Sequence, residues 1–319
     1  MFTRNSQKRF SHRPGLTLLI LLCALSLFAS CSNRGAGSAN GGAGPATREV
    51  VDGSGRRVRV PQRPERIITL APNLTEIVYA VGAGPRLVGN TTYCDYPQEA
   101  RAVEKVGDTL HPSIERIIAL RPQLILISTA SQLEAFTKQL DEQNIAVYIT
   151  DPHDLEGVFK SIEAIGDLVD ERERAASVVN ALRSRASSIE ERVSKQKPLS
   201  VFYQLSAEPL YTAGRDSFIT DLVRRAGGVS VTANVPGAWP RYSDEAALAA
   251  RPEAVIMATG DSMGAQANVE VAEPLRRSPA VQNNRVYKIN GDFLSRPGPR
   301  LVDGLEQMAR ALHPEAFKD

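Results

Sequence analysis

Cysteine, histidine and tryptophan are all scarce in this 319-residue chain, at 3, 4 and 1 residues. So few cysteines cannot staple a disulfide framework, so the fold must rest on buried apolar surface. At roughly 100–200 residues per domain there is room for about two. The histidines, His12, His111, His153 and His313, are scattered without metal-ligand spacing, which argues against zinc or manganese capture. No Gly-x-x-x-x-Gly-Lys-Ser/Thr and no nucleophile-elbow pattern occurs, so neither a P-loop nor a serine hydrolase is expected, and the chain is not read as an enzyme. An excess of one charge is also missing: the formal net charge is +2, and removing Arg4, Lys8, Arg9 and Arg13 of the first 31 residues leaves 34 bases against 36 acids. A body so nearly neutral is not built for nucleic acid. With 42% hydrophobic and 23% charged residues, wholesale disorder is excluded.

A long hydrophobic run is lacking as well. The longest, Leu16 to Ala29, has 14 apolar or small residues, short of the ~20 that a spanning helix needs. With the basic stretch before it, this is the pattern of a secretory signal. Phe28-Ala29-Ser30-Cys31 resembles the bacterial lipobox, in which the Cys is diacylated and becomes the new N-terminus. Cys31 is therefore the expected lipidation site, and acyl chains on one residue would hold a soluble body on a bilayer. Ser32 to Arg48 is a Gly/Ala/Ser/Asn tract that cannot bury a core and is expected to act as a leash. Only Cys94 then remains in the body, as a buried free thiol.

From Glu49 onward, short β-rich runs alternate with helical stretches, the signature of α/β units. The runs beginning at Ile67, Leu124, Ala146, Ser200, Ala254 and Val286 read as buried strands. An internal repeat is present: Ser113-Ile-Glu115…Ala119-Leu-Arg121-Pro122 recurs as Ser243-Asp-Glu245…Ala249-Ala-Arg251-Pro252, each followed by an apolar run. Each copy predicts a short helix capped by Ser, with Glu in its first turn, stopped by Arg-Pro and feeding a strand. Two copies imply two similar lobes with Glu115 and Glu245 equivalent. Between them, Asp154 to Lys195 is rich in helix formers and broken once near Gly166-Asp167; its second part predicts a long helix rather than a flexible hinge. The plan is a signal over 1–30, a lipidated linker over 31–48, an N-terminal lobe over 49–153, a helical linker over 154–196 and a C-terminal lobe over 197–319.

Arg66-Ile-Ile-Thr-Leu-Ala-Pro-Asn-Leu-Thr-Glu76, Leu87 to Ala100, Val106-Gly107-Asp108, the two Ser-x-Glu…Arg-Pro units and the tail through Arg300 resemble the helical-backbone class of ABC-transporter substrate-binding proteins. Within that class, Tyr93-Cys94-Asp95-Tyr96-Pro97 resembles the cobalamin-binding members most. The resemblance implies two three-layer α/β/α lobes joined by one long backbone helix, with ligand in the cleft between them. It also implies a monomer that carries a ligand to a membrane permease with separate ATPase subunits. No resident cofactor is implied; a corrinoid would be cargo, and a ferric siderophore or haem is the alternative. Glu115 and Glu245 match the glutamates that pair with permease arginines; their bland alternative is service to the helix dipole.

A corrinoid presents an apolar ring edge and a rim of amides, so its site needs flat aromatic walls and a few polar groups. Trp239, in a Gly/Pro-punctuated loop, is the first candidate. Tyr93 and Tyr96 fall in the matching N-terminal-lobe loop, where one is expected to face ligand and the other to pack locally. Asp292, Phe293 and Arg296 fall in the last cleft loop; Asp292 and Arg296 would contact ligand or simply pair with each other. One departure stands out: where B12 binders of this kind can carry a wall-forming Trp, this chain has Thr109. A purely structural surface lipoprotein, the blander rival, would bind nothing saturably.

Overall fold

The computed structural model describes residues 46–128, 137–140, 142–143, 145–260 and 270–318. The signal, Cys31 and the linker as far as residue 45 lie outside the described residues.

The first sheet is all parallel, in the order β4 (Leu87–Asn90), β3 (Ile67–Thr69), β5 (Leu124–Ile127), β6 (Ala146–Ile149). The second has β11 (Val286–Asn290), β10 (Ala254–Thr259), β7 (Leu199–Ala207) and β8 (Leu210–Thr212), with β9 (Gly228–Ser230) parallel to β7 and only β8 antiparallel. The central strands bury both faces. Leu124 and Leu126 enter one apolar cluster while Ile125 and Ile127 enter another, and Ala254 and Ile256 alternate with Val255 and Met257 in the same way. This is why these strands read as unbroken apolar runs and why helices must cover both sides of each sheet. A hairpin, β1 (Thr47–Val51) with β2 (Arg57–Pro61), precedes the first sheet. Its start takes Thr47 and Arg48 out of the expected leash, and Arg48 is anchored by Asp167.

The repeat is realised in detail. Ser113 caps α2 (Ile114–Ala119) by accepting from the Arg116 amide at 3.4 Å, and Ser243 caps the helix Asp244–Ala250 by accepting from the Ala246 amide at 3.1 Å. Each unit then turns through an arginine in the left-handed region, Arg121 at φ 46° and Arg251 at φ 42°, just before its proline. The residue before a proline is steered away from the right-handed helical region, which ends both helices at the same place.

The linker region forms two antiparallel helices, α3 (Leu155–Leu168) and α4 (Arg172–Val193). They join at the turn Val169-Asp170-Glu171, where Asp170 takes φ 59°. The 22-residue α4 is about 33 Å long and touches both lobes. Near its start, Arg86 of the first lobe donates to the Val169 carbonyl and to Glu171 at 2.9 Å; towards its end, Glu190 pairs with Arg225 of the second. The largest apolar cluster runs through Ile67, Leu126, Val179, Leu182, Val201 and Ile256, so the helix is glued to both lobes by one core.

Candidate functional site

A cavity of about 460 Å³ lies between the lobes. Its walls come from the carboxyl ends of the parallel strands: Leu70 to Asn73 after β3, Ser128 after β5, Asp151 to His153 after β6, Leu205 and Ser206 at β7, Ala258 in β10, and Ser295 to Pro297 beyond β11. This is the edge at which α/β sheets generally bind ligands, because the loops there are free to vary.

Trp239 lines this cavity and is 39% exposed. Its indole stands edge-on to Phe218 at 5.7 Å between ring centroids and is tilted against Tyr203 at 6.5 Å. The loop that carries it is strapped down by backbone bonds from Thr212 to Pro240, Gly214 to Ala238 and Arg215 to Val235, at 3.2, 3.0 and 2.7 Å. Only glycine fits at 214, since an added Cβ would fall 2.2 Å from the Gly237 carbonyl oxygen. The result is a rigid, flat, half-exposed wall.

Arg296 also lines the cavity but is 2% exposed, and its two terminal nitrogens are committed to carboxylates while its Nε has no hydrogen-bond partner among the described residues. It reaches Asp95 at 2.7 Å, Asp292 at 2.9 Å and Glu76 at 3.3 Å. Arg300 grips both oxygens of Glu76, at 2.6 and 3.0 Å, and lies 4.0 Å from the Tyr96 ring centroid and 5.4 Å from that of Phe293. Glu76 belongs to α1 (Pro72–Ala80) of the first lobe, so these arginines tie the last loop to the opposite lobe. Asn73 adds a bond to the Pro297 carbonyl at 3.3 Å. Burial pushes the Glu76 carboxyl above its ordinary value, with both guanidiniums pulling the other way. For Asp95 burial also pushes up, but the hydrogen bond and charge of Arg296 prevail and hold it below the usual range. Two arginines here face three carboxylates.

The candidates thus divide. Trp239, Arg296 and Thr109 line the cavity. Tyr93 and Tyr96, 40% and 48% exposed, do not, and Tyr96 instead stacks on Arg300. Phe293 and Asp292 stand behind the wall, in the arginine network. Cys94 is a buried free thiol. Glu115 and Glu245 are exposed in the first turns of equivalent helices and make no ion pair among the described residues. Sequence reasoning missed Glu76, whose partners lie more than 200 positions away. It also missed Asp151 and His153, which line the cavity. Asp154 does cap α3, accepting from Gly157 at 2.6 Å, but His153 also meets the Asp216 carbonyl across the cavity mouth at 2.9 Å. Asp-Pro-His between a strand end and a cap was the available signal.

The model of the periplasmic binding protein family matches residues 67–292. The chain belongs to that family. An uncharacterized ABC transporter substrate-binding lipoprotein of Bacillus subtilis is 34% identical over 318 residues, covering 96% of this chain and 99% of the relative. The crystal structure of the periplasmic vitamin B12-binding protein of Vibrio cholerae aligns with a TM-score of 0.69 at 29% identity, over 81% of this chain and all of the other. A periplasmic haem-binding protein of Pseudomonas aeruginosa aligns equally well, TM-score 0.69, at 25% identity over 79% of this chain and 93% of that one. This periplasmic binding protein is therefore a solute-binding component of an ABC transporter with the two-lobed helical-backbone fold, not an enzyme, and it acts outside the cytoplasm with permease and ATPase partners. No helix of the described residues is long and apolar enough to cross a membrane.

Proposed function

We propose that the cleft captures a corrinoid, cobalamin or a close relative, and that Cys31 carries the lipid that keeps the protein on the membrane beside its permease. The observation that carries the ligand class is the charge of the cavity. Arg296 is the only lysine or arginine among its described lining residues, and three carboxylates already surround it, while Asp151 adds further negative charge to the rim and Asp216 is paired with Arg215 at 3.4 Å. A multiply anionic chelate would enter with no free cation to meet it, and an unpaired buried charge is costly. A ligand that is neutral at its edges and rimmed with amides meets no such penalty. The flat Trp239 wall suits a planar macrocycle, and the vitamin B12-binding relatives agree with this reading.

Glu115 and Glu245, exposed and equivalent, would present one carboxylate on each lobe to basic residues of the permease. The ligand reading is tested by calorimetric titration of the purified protein with cyanocobalamin, with haem and a ferric siderophore as comparators. Saturable one-to-one binding of cyanocobalamin supports it; binding of a comparator alone assigns the cleft to that ligand instead.

A further inference from the structure

Two residues that line the cavity from opposite lobes carry buried hydroxyls with no hydrogen-bond partner among the described residues: Tyr203 Oη and Thr109 Oγ1. Tyr203 lies in β7 of the second lobe and is 1% exposed. Trp239 leans on its ring, and Thr212 spends its hydroxyl on the Tyr203 carbonyl, at 2.7 Å. A phenylalanine would fill the same space without the desolvation penalty that a lone buried hydroxyl carries. The packing therefore explains the ring and leaves the oxygen unexplained. Burial also holds the phenol well above its ordinary range, so it is a donor at any physiological pH.

We infer that Tyr203 is a specificity-determining residue of the cleft, donating from Oη to a carbonyl on the bound ligand while Thr109 Oγ1 meets a second polar group from the facing lobe. Reading one ligand from both lobes rewards a rim of neutral amides, and a site built around a hydrogen bond rejects analogues that lack it more strongly than apolar walls can. This deepens the corrinoid reading and rests on it for the identity of the ligand.

The test compares the full-length wild type with Tyr203→Phe and Thr109→Val, each titrated with cyanocobalamin, haem and ferrichrome, and each melted without ligand. For the probe that the wild type takes up, Tyr203→Phe is expected to weaken binding about tenfold, about 1.4 kcal/mol, and Thr109→Val several-fold. The unliganded Tyr203→Phe protein should melt at or above the wild-type temperature, because the change removes an unpaired polar group. Opposite signs in the two readouts are what a merely structural tyrosine would not produce. Binding by Tyr203→Phe within about twofold of wild type, or a melting temperature several degrees lower, overturns the inference. If the wild type takes haem or ferrichrome instead of cyanocobalamin, the corrinoid reading fails while the role of Tyr203 is decided on that ligand. Uptake of none of the three overturns both.

Discussion

Replacing Arg300 by methionine isolates the ionic contact that joins the lobes. Methionine preserves much of the stem's packing but removes the bidentate partner of Glu76, leaving that buried carboxylate with Arg296 alone at 3.3 Å. Glu76 already sits above its ordinary 4.5 because of burial, and losing Arg300 drives it further up. A carboxyl raised in the folded state costs nothing below its unfolded pKa and costs progressively more as the pH rises towards its folded value. The penalty has a ceiling, because the carboxyl can take up a proton: over the 2.5 pH units from 4.5 to 7 it cannot exceed about 3.4 kcal/mol at about 1.36 kcal/mol per unit. The lost contact with the Tyr96 ring adds roughly 0.5–1 kcal/mol. Urea denaturation of wild type and Arg300→Met should therefore differ by about 2–4 kcal/mol at pH 7 and by only about 1 kcal/mol at pH 5. A loss that is the same at both pH values, or none at pH 7, would show that Glu76 and Arg300 are not coupled as described.

Trp239→Ala should weaken binding of the transported ligand at least tenfold, about 1.4 kcal/mol, in calorimetry. Because the indole is 39% exposed, the fold should survive with a modest fall in Tm. Charge reversal at Glu115 and Glu245 should leave the melting curve and ligand affinity unchanged, since both are exposed, yet abolish uptake in reconstituted transporter; uptake at wild-type level removes them from docking. Burial pushes Asp221 up, but bonds from Arg225, Arg224 and the Leu155 amide hold it below 3.8. Its stabilisation is thus complete above that pH and fades as the pH falls below it. Asp221→Asn should be destabilised at pH 7 and approach wild type in an acid titration followed by circular dichroism; a gap that does not narrow as the pH falls contradicts the assignment.

What was legible in the sequence is what local physics determines. The Ser-x-Glu…Arg-Pro units show their caps, stops and strands within 15 residues, and both were found where the pattern places them. The buried central strands were legible because two covered faces leave no polar alternation. The hairpin Thr47–Pro61 was not, because one strand of it, Thr-Arg-Glu-Val-Val, has few core residues and follows a Gly-rich tract. Strands β8 and β9, three residues each, are too short for periodicity to register. At the site, Trp239 could be picked from its loop, whereas the commitment of Arg296 could not. Its pairing with Asp292, four positions away, was one of the two readings open from the sequence, but its other counter-charges come from a helix and a loop about 200 positions earlier, and nothing local separates an arginine aimed at ligand from one aimed at glutamate. Tyr203 was hidden for the opposite reason: inside an apolar strand it looks like any core aromatic.

Trp239 is the only tryptophan in the chain, and it stands on the cleft wall, so tryptophan emission, excited where tyrosine does not absorb, reports on the site alone. Titrating the full-length protein with cyanocobalamin and following that emission tests the central claim most directly. The account predicts saturable quenching that ends at one equivalent and is not reversed by excess ferrichrome. Emission that falls only in proportion to added chromophore, with no end point, would contradict a corrinoid in the cleft.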